Sequence, residues 1–143
     1  MREIIFRAKS FSGDWVYGNF IHSKRFEGCG NEYRIHNIET GLESDVIPDT
    51  VGQFIGLTDV YGEQIFEGDL VKIKSHKDYE NEVFQVGFEN GSFYLKSCDH
   101  AGFVTIGKYA YDAFWNDTID DIDEINTLFE VVGNIHDNPE LIR

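Results

Sequence analysis

The chain has 143 residues, a net charge of −14 and aromatic side chains at 15% of its positions. That length fits one domain able to remove roughly 70% of its unfolded surface from water, and the aromatic load excludes a disordered chain. No stretch reaches the ~18 apolar residues of a membrane-spanning helix, the N-terminus lacks the apolar core and cleavage site of a signal peptide, and the acidity opposes docking on a phosphate backbone; a single cytoplasmic domain over residues 1–143 is expected.

In chain order, Glu3–Lys9 alternates Ile4, Phe6 and Ala8 against Arg7 and Lys9, which predicts a strand. Ser12-Gly13-Asp14 is turn chemistry, and Trp15–His22 reads as a second strand with bulk on both faces, so the two should pair as a hairpin. Glu27–Glu32, with Gly28 and Gly30, reads as a loop. Tyr33–Ile38 and Leu42–Ile47 flank Glu39-Thr40-Gly41 as a second hairpin, ended by Pro48. Gly52–Ile55 is a short strand, Asp59–Gly62 a turn in which Gly62 supplies a positive φ, and Glu67-Gly68-Asp69 introduces the strand Leu70–Lys74.

Glu82–Phe88 and Ser92–Lys96 frame Asn90-Gly91, the pair that a type I′ turn demands. Phe84, Val86 and Phe88 fall on one face. Across Tyr109–Phe129, the residues Trp115, Ile119, Ile122, Ile125 and Phe129 recur at helical spacing, and the acids between Asp117 and Glu124 lie mostly off that stripe. Glu130–Ile135 returns to strand character. Asn138-Pro139-Glu140 reads as a helix start: Asn138 as N-cap, Pro139 at the first helical position, then an acid. The sum is a mainly β, β-rich α+β fold: an antiparallel sheet or small SH3-like barrel with one or two short helices. The barrel option rests on Gly68-Asp69-Leu70-Val71, a strand entry known from such barrels by analogy.

No nucleophile elbow and no phosphate-binding loop occurs, so no catalytic residue is assigned and a non-enzymatic protein is expected. The five histidines are far apart, and Cys98-Asp99-His100 lacks the second ligand pair of a zinc site; no metal or cofactor is expected. Cys29 and Cys98 read as free thiols in a cytosolic chain.

Charge is unevenly spread. Residues 1–34 hold six basic and four acidic side chains, and the remainder holds six basic and 22 acidic. Solubility accounts for such a surface. A sharper reading makes the acidic half an imitation of a duplex's phosphates that occupies a host DNA-binding protein. Direct nucleic-acid binding through Arg2, Arg7, Lys9, Lys24, Arg25 and Arg34 is opposed by the overall charge.

Three blocks carry a family resemblance. Phe6, Arg7, Ala8, Trp15, Tyr17 and Gly18 open it, with Lys9 where an aromatic is usual. Thr50, Val51, Gly52, Gln53, Gly56, Leu57, Asp59, Gly62, Ile65, Glu67, Gly68, Asp69 and Val71 form its centre. Val131, Val132, Gly133, Asn134, Ile135, Asn138, Pro139, Glu140 and Leu141 close it. In that order they resemble the YopX family of small phage and prophage proteins, whereas Arg25–Val46 and Ser75–Leu128 match poorly. The resemblance implies a phage or prophage origin and a fold class, but no reaction. Gly52, Gly56, Gly62, Gly68, Gly133 and Pro139 read as backbone devices, and Glu67, Asp69, Asn134 and Asn138 as groups that bond turn amides or cap helix ends. Trp15, Tyr17, Gln53 and Asp59 are the candidate partner-binding residues. The leading function is a protein-protein interaction or self-assembling module. It would form a homo-oligomer or hold a phage or host protein.

Overall fold

The computed structural model describes residues 2–24, 32–73, 82–116, 120 and 122–142. The chain divides into two compact units, Met1–Gly56 and Leu57–Arg143. Among the described residues the strands form two antiparallel sheets, neither closed into a barrel, with one α-helix. The mainly β reading therefore holds and the SH3-like barrel does not: strand order leaves free edges where a barrel would join its first and last strands.

The first unit holds β1 (Phe6–Lys9), β2 (Trp15–His22), β3 (Tyr33–His36), β4 (Glu43–Asp45) and most of β5 (Gly52–Thr58), in the spatial order β4-β3-β2-β1-β5. The first hairpin forms as its alternation predicts, Arg7 opposite Tyr17 and Lys9 opposite Trp15. Its turn closes with Ser10 N donating to Asp14 O at 2.9 Å. Phe6, Val16, Phe20, Tyr33 and Val51 pack on a core of Ala8, Ile35 and Val46. Pro48 opens a 3-10 turn, Pro48–Thr50, rather than only ending a strand. Thr50 locks that turn to β1: its Oγ1 donates to Ile47 O at 2.7 Å and accepts from Lys9 N at 2.8 Å.

The second unit begins with the end of β5 and β6 (Gln64–Phe66), joined through the turn at Asp59–Gly62. Its own sheet contains β7 (Asp69–Ile73), β8 (Phe84–Glu89), β9 (Ser92–Ser97), β10 (Phe103–Thr105) and β11 (Phe129–Asn134), in the order β10-β9-β8-β7-β11. The β8–β9 hairpin turns on Asn90 and Gly91, with φ of 53° and 80°, the two positive values a type I′ turn requires. Val86 faces Leu95 and Phe88 faces Phe93, so the alternation legible in the sequence sets the register.

The long helical stripe is corrected. The helix α1 runs Ile106–Trp115, beginning before the expected start, and a 3-10 segment covers Ile122–Leu128. Phe129 opens β11 instead of closing a helix. Trp115 is 75% exposed, whereas Ile125 is buried, so these two stripe residues do not share one face; Ile119 lies outside the described residues. At the end of the span Phe129 pairs with Ile73 of β7, and that sheet pairing overrides the helical spacing there. The expected loop at Glu27–Glu32 also falls outside the described residues, apart from Glu32.

Candidate functional site

The part of the central sequence block from Leu57 onward and the closing block meet in the second unit. β7 pairs with β11, setting Asp69 opposite Asn134, Leu70 opposite Gly133 and Val71 opposite Val131, with a bulge between Val131 and Gly133. Asp69 is buried, and its Oδ2 accepts from Phe66 N at 2.8 Å, closing the turn through Glu67 and Gly68. Gly68 ties β8 to the turn after β11: its N donates to Val86 O at 2.8 Å and its O accepts from Ile135 N at 2.9 Å.

Asp59 is 2% exposed. Its Oδ1 accepts from Tyr61 N and Glu63 N, both at 2.9 Å, and its Oδ2 accepts from Val131 N at 3.1 Å. Val60 N donates to Phe129 O at 2.9 Å. The Asp59–Glu63 turn thus lies along the outer edge of β11 and takes up hydrogen-bonding groups that an edge strand would otherwise offer to another chain. Gly62 has φ of 85°, as the turn requires.

After β11, Asn134 Oδ1 accepts from His136 N at 3.0 Å and from Asp137 N at 2.9 Å. Asn138 sits at the N-cap position of the 3-10 helix Pro139–Leu141 but makes no side-chain cap. Its Oδ1 turns back to accept from Asn134 N at 3.2 Å. A Cβ on Gly133 would lie 2.5 Å from that Oδ1, so Gly133 leaves room for the Asn138 side chain.

In the first unit, Trp15 and Tyr17 share a sheet face with Arg7 and Lys9. The Arg7 guanidinium lies 4.6 Å from the Trp15 ring centroid and Lys9 Nζ 5.5 Å from it, a cation–π stack. Tyr17 is exposed; Gln53 pairs with Phe6 and so belongs to the opposite, core-side face. The structure joins Trp15 to Tyr17 but not to Gln53 on one face, and the buried Asp59 carboxylate serves the backbone of the second unit.

Sequence reasoning missed a third place. A groove of about 260 Å³ in the second unit is floored by Phe84, Leu95 and Val104 and rimmed by Glu82, Ser97, His100 and Phe103. His100 Nδ1 lies 3.0 Å from Glu82 Oε1, and Ser97 Oγ donates to Glu82 Oε2 at 3.4 Å. Ser97 bonds the carboxylate and not the imidazole, so this is not the nucleophile–base–carboxylate order of a hydrolase. The sequence singled out His100 only with Cys98 and Asp99; its partner Glu82 stands on the far side of a hairpin. Among the described residues no group of three or more His, Cys, Asp or Glu is placed to hold a metal ion.

The YopX protein family model matches residues 5–143. The chain belongs to the YopX family. Among solved structures, it is similar to the crystal structure of protein EF1440 from Enterococcus faecalis, with 20% identity, a TM-score of 0.56 and coverage of 100% of both chains. That likeness speaks for the fold alone. No curated protein matches significantly.

In this YopX-family chain Asp59, Gly68 and Asp69 of the central block and Gly133, Asn134 and Asn138 of the closing block are therefore spent on a hydrogen-bonded joint between β7, β11 and two turns. The groove and β10 lie instead in Ser75–Leu128, the stretch where the motif residues are sparse. Cys98 stands beside this region, its N donating to Val83 O at 2.9 Å. Burial, and then the Asp99 carboxylate, push its thiol above the ordinary cysteine value. Less thiolate at a given pH means slower alkylation. In a Cys29→Ser background, iodoacetamide should modify Cys98 more slowly in the native protein than in denaturant at mildly alkaline pH, with the rate profile displaced to higher pH. Equal native and denatured rates would contradict this.

Proposed function

We propose that the chain is a phage- or prophage-derived, non-enzymatic interaction module that acts through protein contacts in the host-cell cytoplasm, with the β10 edge of the second unit as its contact surface. One observation supports this reading most: Phe103 is 62% exposed on the strand that ends its sheet. Its ring lies 5.7 Å from that of Tyr94, and Tyr94 in turn covers Gly87, where an added Cβ would meet the ring at 2.4 Å. An exposed aromatic on an edge strand suits an interface better than it suits solvent. The opposite edge, β11, is occupied by the Asp59–Glu63 turn, so the two ends of one sheet differ in what they offer.

The partner is a second copy or another phage or host protein. Phe103→Glu places a charge on the surface, and Tyr61→Glu does the same at an exposed site away from β10. A tagged wild-type chain should retain an untagged copy or a stoichiometric partner. Phe103→Glu should lose it, and Tyr61→Glu should keep it. Equal retention by both variants would contradict the reading.

A competing reading makes the acidic half a duplex mimic, favoured by the net charge of −14. Two of its acids, Asp59 and Asp69, are buried and bonded to backbone amides, so they present nothing to a DNA-binding protein. The mimic predicts that a DNA-handling protein is retained after nuclease treatment and released by added duplex; the β10 reading predicts no release by duplex.

A further inference from the structure

We infer that Asn90 is a site of spontaneous modification: its side-chain amide is lost to attack by the backbone nitrogen of Gly91, and water then leaves an isoaspartate that loosens the β8–β9 hairpin. The chemistry does not depend on β10 as a contact surface. Three features of the hairpin support it.

The first is the residue pair. Asn90 is the asparagine of this chain that a glycine follows; the others precede Phe, Glu, Ile, Asp, Thr or Pro. Attack needs the next residue's nitrogen to reach Cγ, and a side chain on that residue crowds the approach. Gly91 has none, and even an added Cβ there would meet nothing within 4 Å. The second is exposure. Asn90 and Gly91 both face solvent, so water is at hand and a rotation of their backbone unpacks no buried side chain. The third is the turn. Asn90 and Gly91 have φ of 53° and 80°, and pairing stops at Glu89 opposite Ser92. The closing bond of such a turn joins the two flanking residues, which leaves the Gly91 N–H outside the ladder.

The step balances without an oxidant or reductant. Gly91 N gives its proton to solvent base and bonds to Asn90 Cγ. The Cγ–Nδ2 bond breaks, and Nδ2 leaves as ammonia with a proton from water. A five-membered succinimide remains. Water opens that ring at either carbonyl. Opening at Cγ gives an ordinary aspartate, which suits a type I′ turn as asparagine does. Opening at the backbone carbonyl gives isoaspartate, in which the main chain runs through the side chain and is longer by a methylene. Turn length sets hairpin register, so the pairs next to the turn must yield. Phe88 and Phe93 face each other there, ring centroids 5.1 Å apart.

The test incubates the full-length native chain in heavy-oxygen water at neutral pH and physiological temperature, with peptide mapping by mass spectrometry at intervals. Asn90 should convert before every other asparagine and take up solvent oxygen. Its native rate should lie within about tenfold of that in denaturant, the slowing that a modest distortion of the turn imposes. The isoaspartate form, separated by chromatography, should exchange its backbone amides between Gly87 and Tyr94 faster than the unmodified chain. Asn90→Asp adds the charge without the methylene and should exchange as wild type does. A native rate more than about tenfold below that in denaturant, or earlier conversion of another asparagine, would overturn the assignment of the site. Equal exchange in the isoaspartate form and Asn90→Asp would overturn the loosening of the hairpin.

Discussion

Replacing Gly18 with alanine should destabilise the first unit by about 3 kcal/mol or more, the upper range for overfilling a packed site. A Cβ at that position would lie 2.0 Å from the backbone O of His36 and 2.8 Å from its carbonyl carbon. Backbone cannot swing aside as a side-chain tip can. Either β2 separates from β3, where Asn19 faces His36, or the strand bends away from β1, where Gly18 faces Phe6. The backbone at Gly18 also has φ of 152°, at the margin of what an L residue accepts. Chemical denaturation followed by the fluorescence of Trp15 in a Trp115→Phe background would read the loss; an unchanged midpoint would show that the β2–β3 approach is looser than described.

Asp59→Ala should cost about 3 kcal/mol and weaken β11 in particular. The substitution removes the acceptor of three backbone amides, those of Tyr61, Glu63 and Val131. Bonds to an ionised acceptor are worth roughly 1.5–3 kcal/mol each, although amides that regain water recover part of this. Tyr61 and Glu63 are exposed and can be rehydrated, so the half-buried Val131 amide dominates the loss. Asp59→Asn keeps one oxygen and turns an amide group toward the remaining donors, so a smaller but clear loss is expected. The check is the melting temperature of both variants. Equal stability of Asp59→Ala and wild type would remove Asp59 from the joint. Phe103→Glu, in contrast, should leave the melting temperature near that of wild type, since its side chain is mostly in water.

Strands were legible where one face is buried. Trp15–His22 matches its expected bounds, and Asn90-Gly91 fixes a hairpin whose facing pairs follow from alternation alone. Gly62 likewise follows from local backbone demands. The joint between β7 and β11 was legible only in part. Side chains such as Asp69 and Asn134 advertise turn bonding, but nothing local says that they stand opposite one another 65 positions apart. Asn138 shows the same limit: Asn before Pro signals a helix start, yet its oxygen serves Asn134 because the close approach at Gly133 brings it there. The acidic segment misled because helical spacing of apolar residues is necessary for an amphipathic helix and does not ensure one. The groove was invisible because Glu82, Ser97 and His100 meet only when β8 and β9 pair and the chain turns after β9.

The account depends on a difference between two edges of one sheet: β11 sealed by the Asp59–Glu63 turn, and β10 open to a partner. Residue-resolved hydrogen exchange of the wild-type chain in dilute solution tests that most directly. The Val60 and Val131 amides should exchange as slowly as those of the central strand β8, and at least one β10 amide, on the side away from β9, should exchange close to the rate of an unstructured chain. Protection across all of Phe103–Thr105 equal to that of β8, or free exchange at Val60 and Val131, would contradict it.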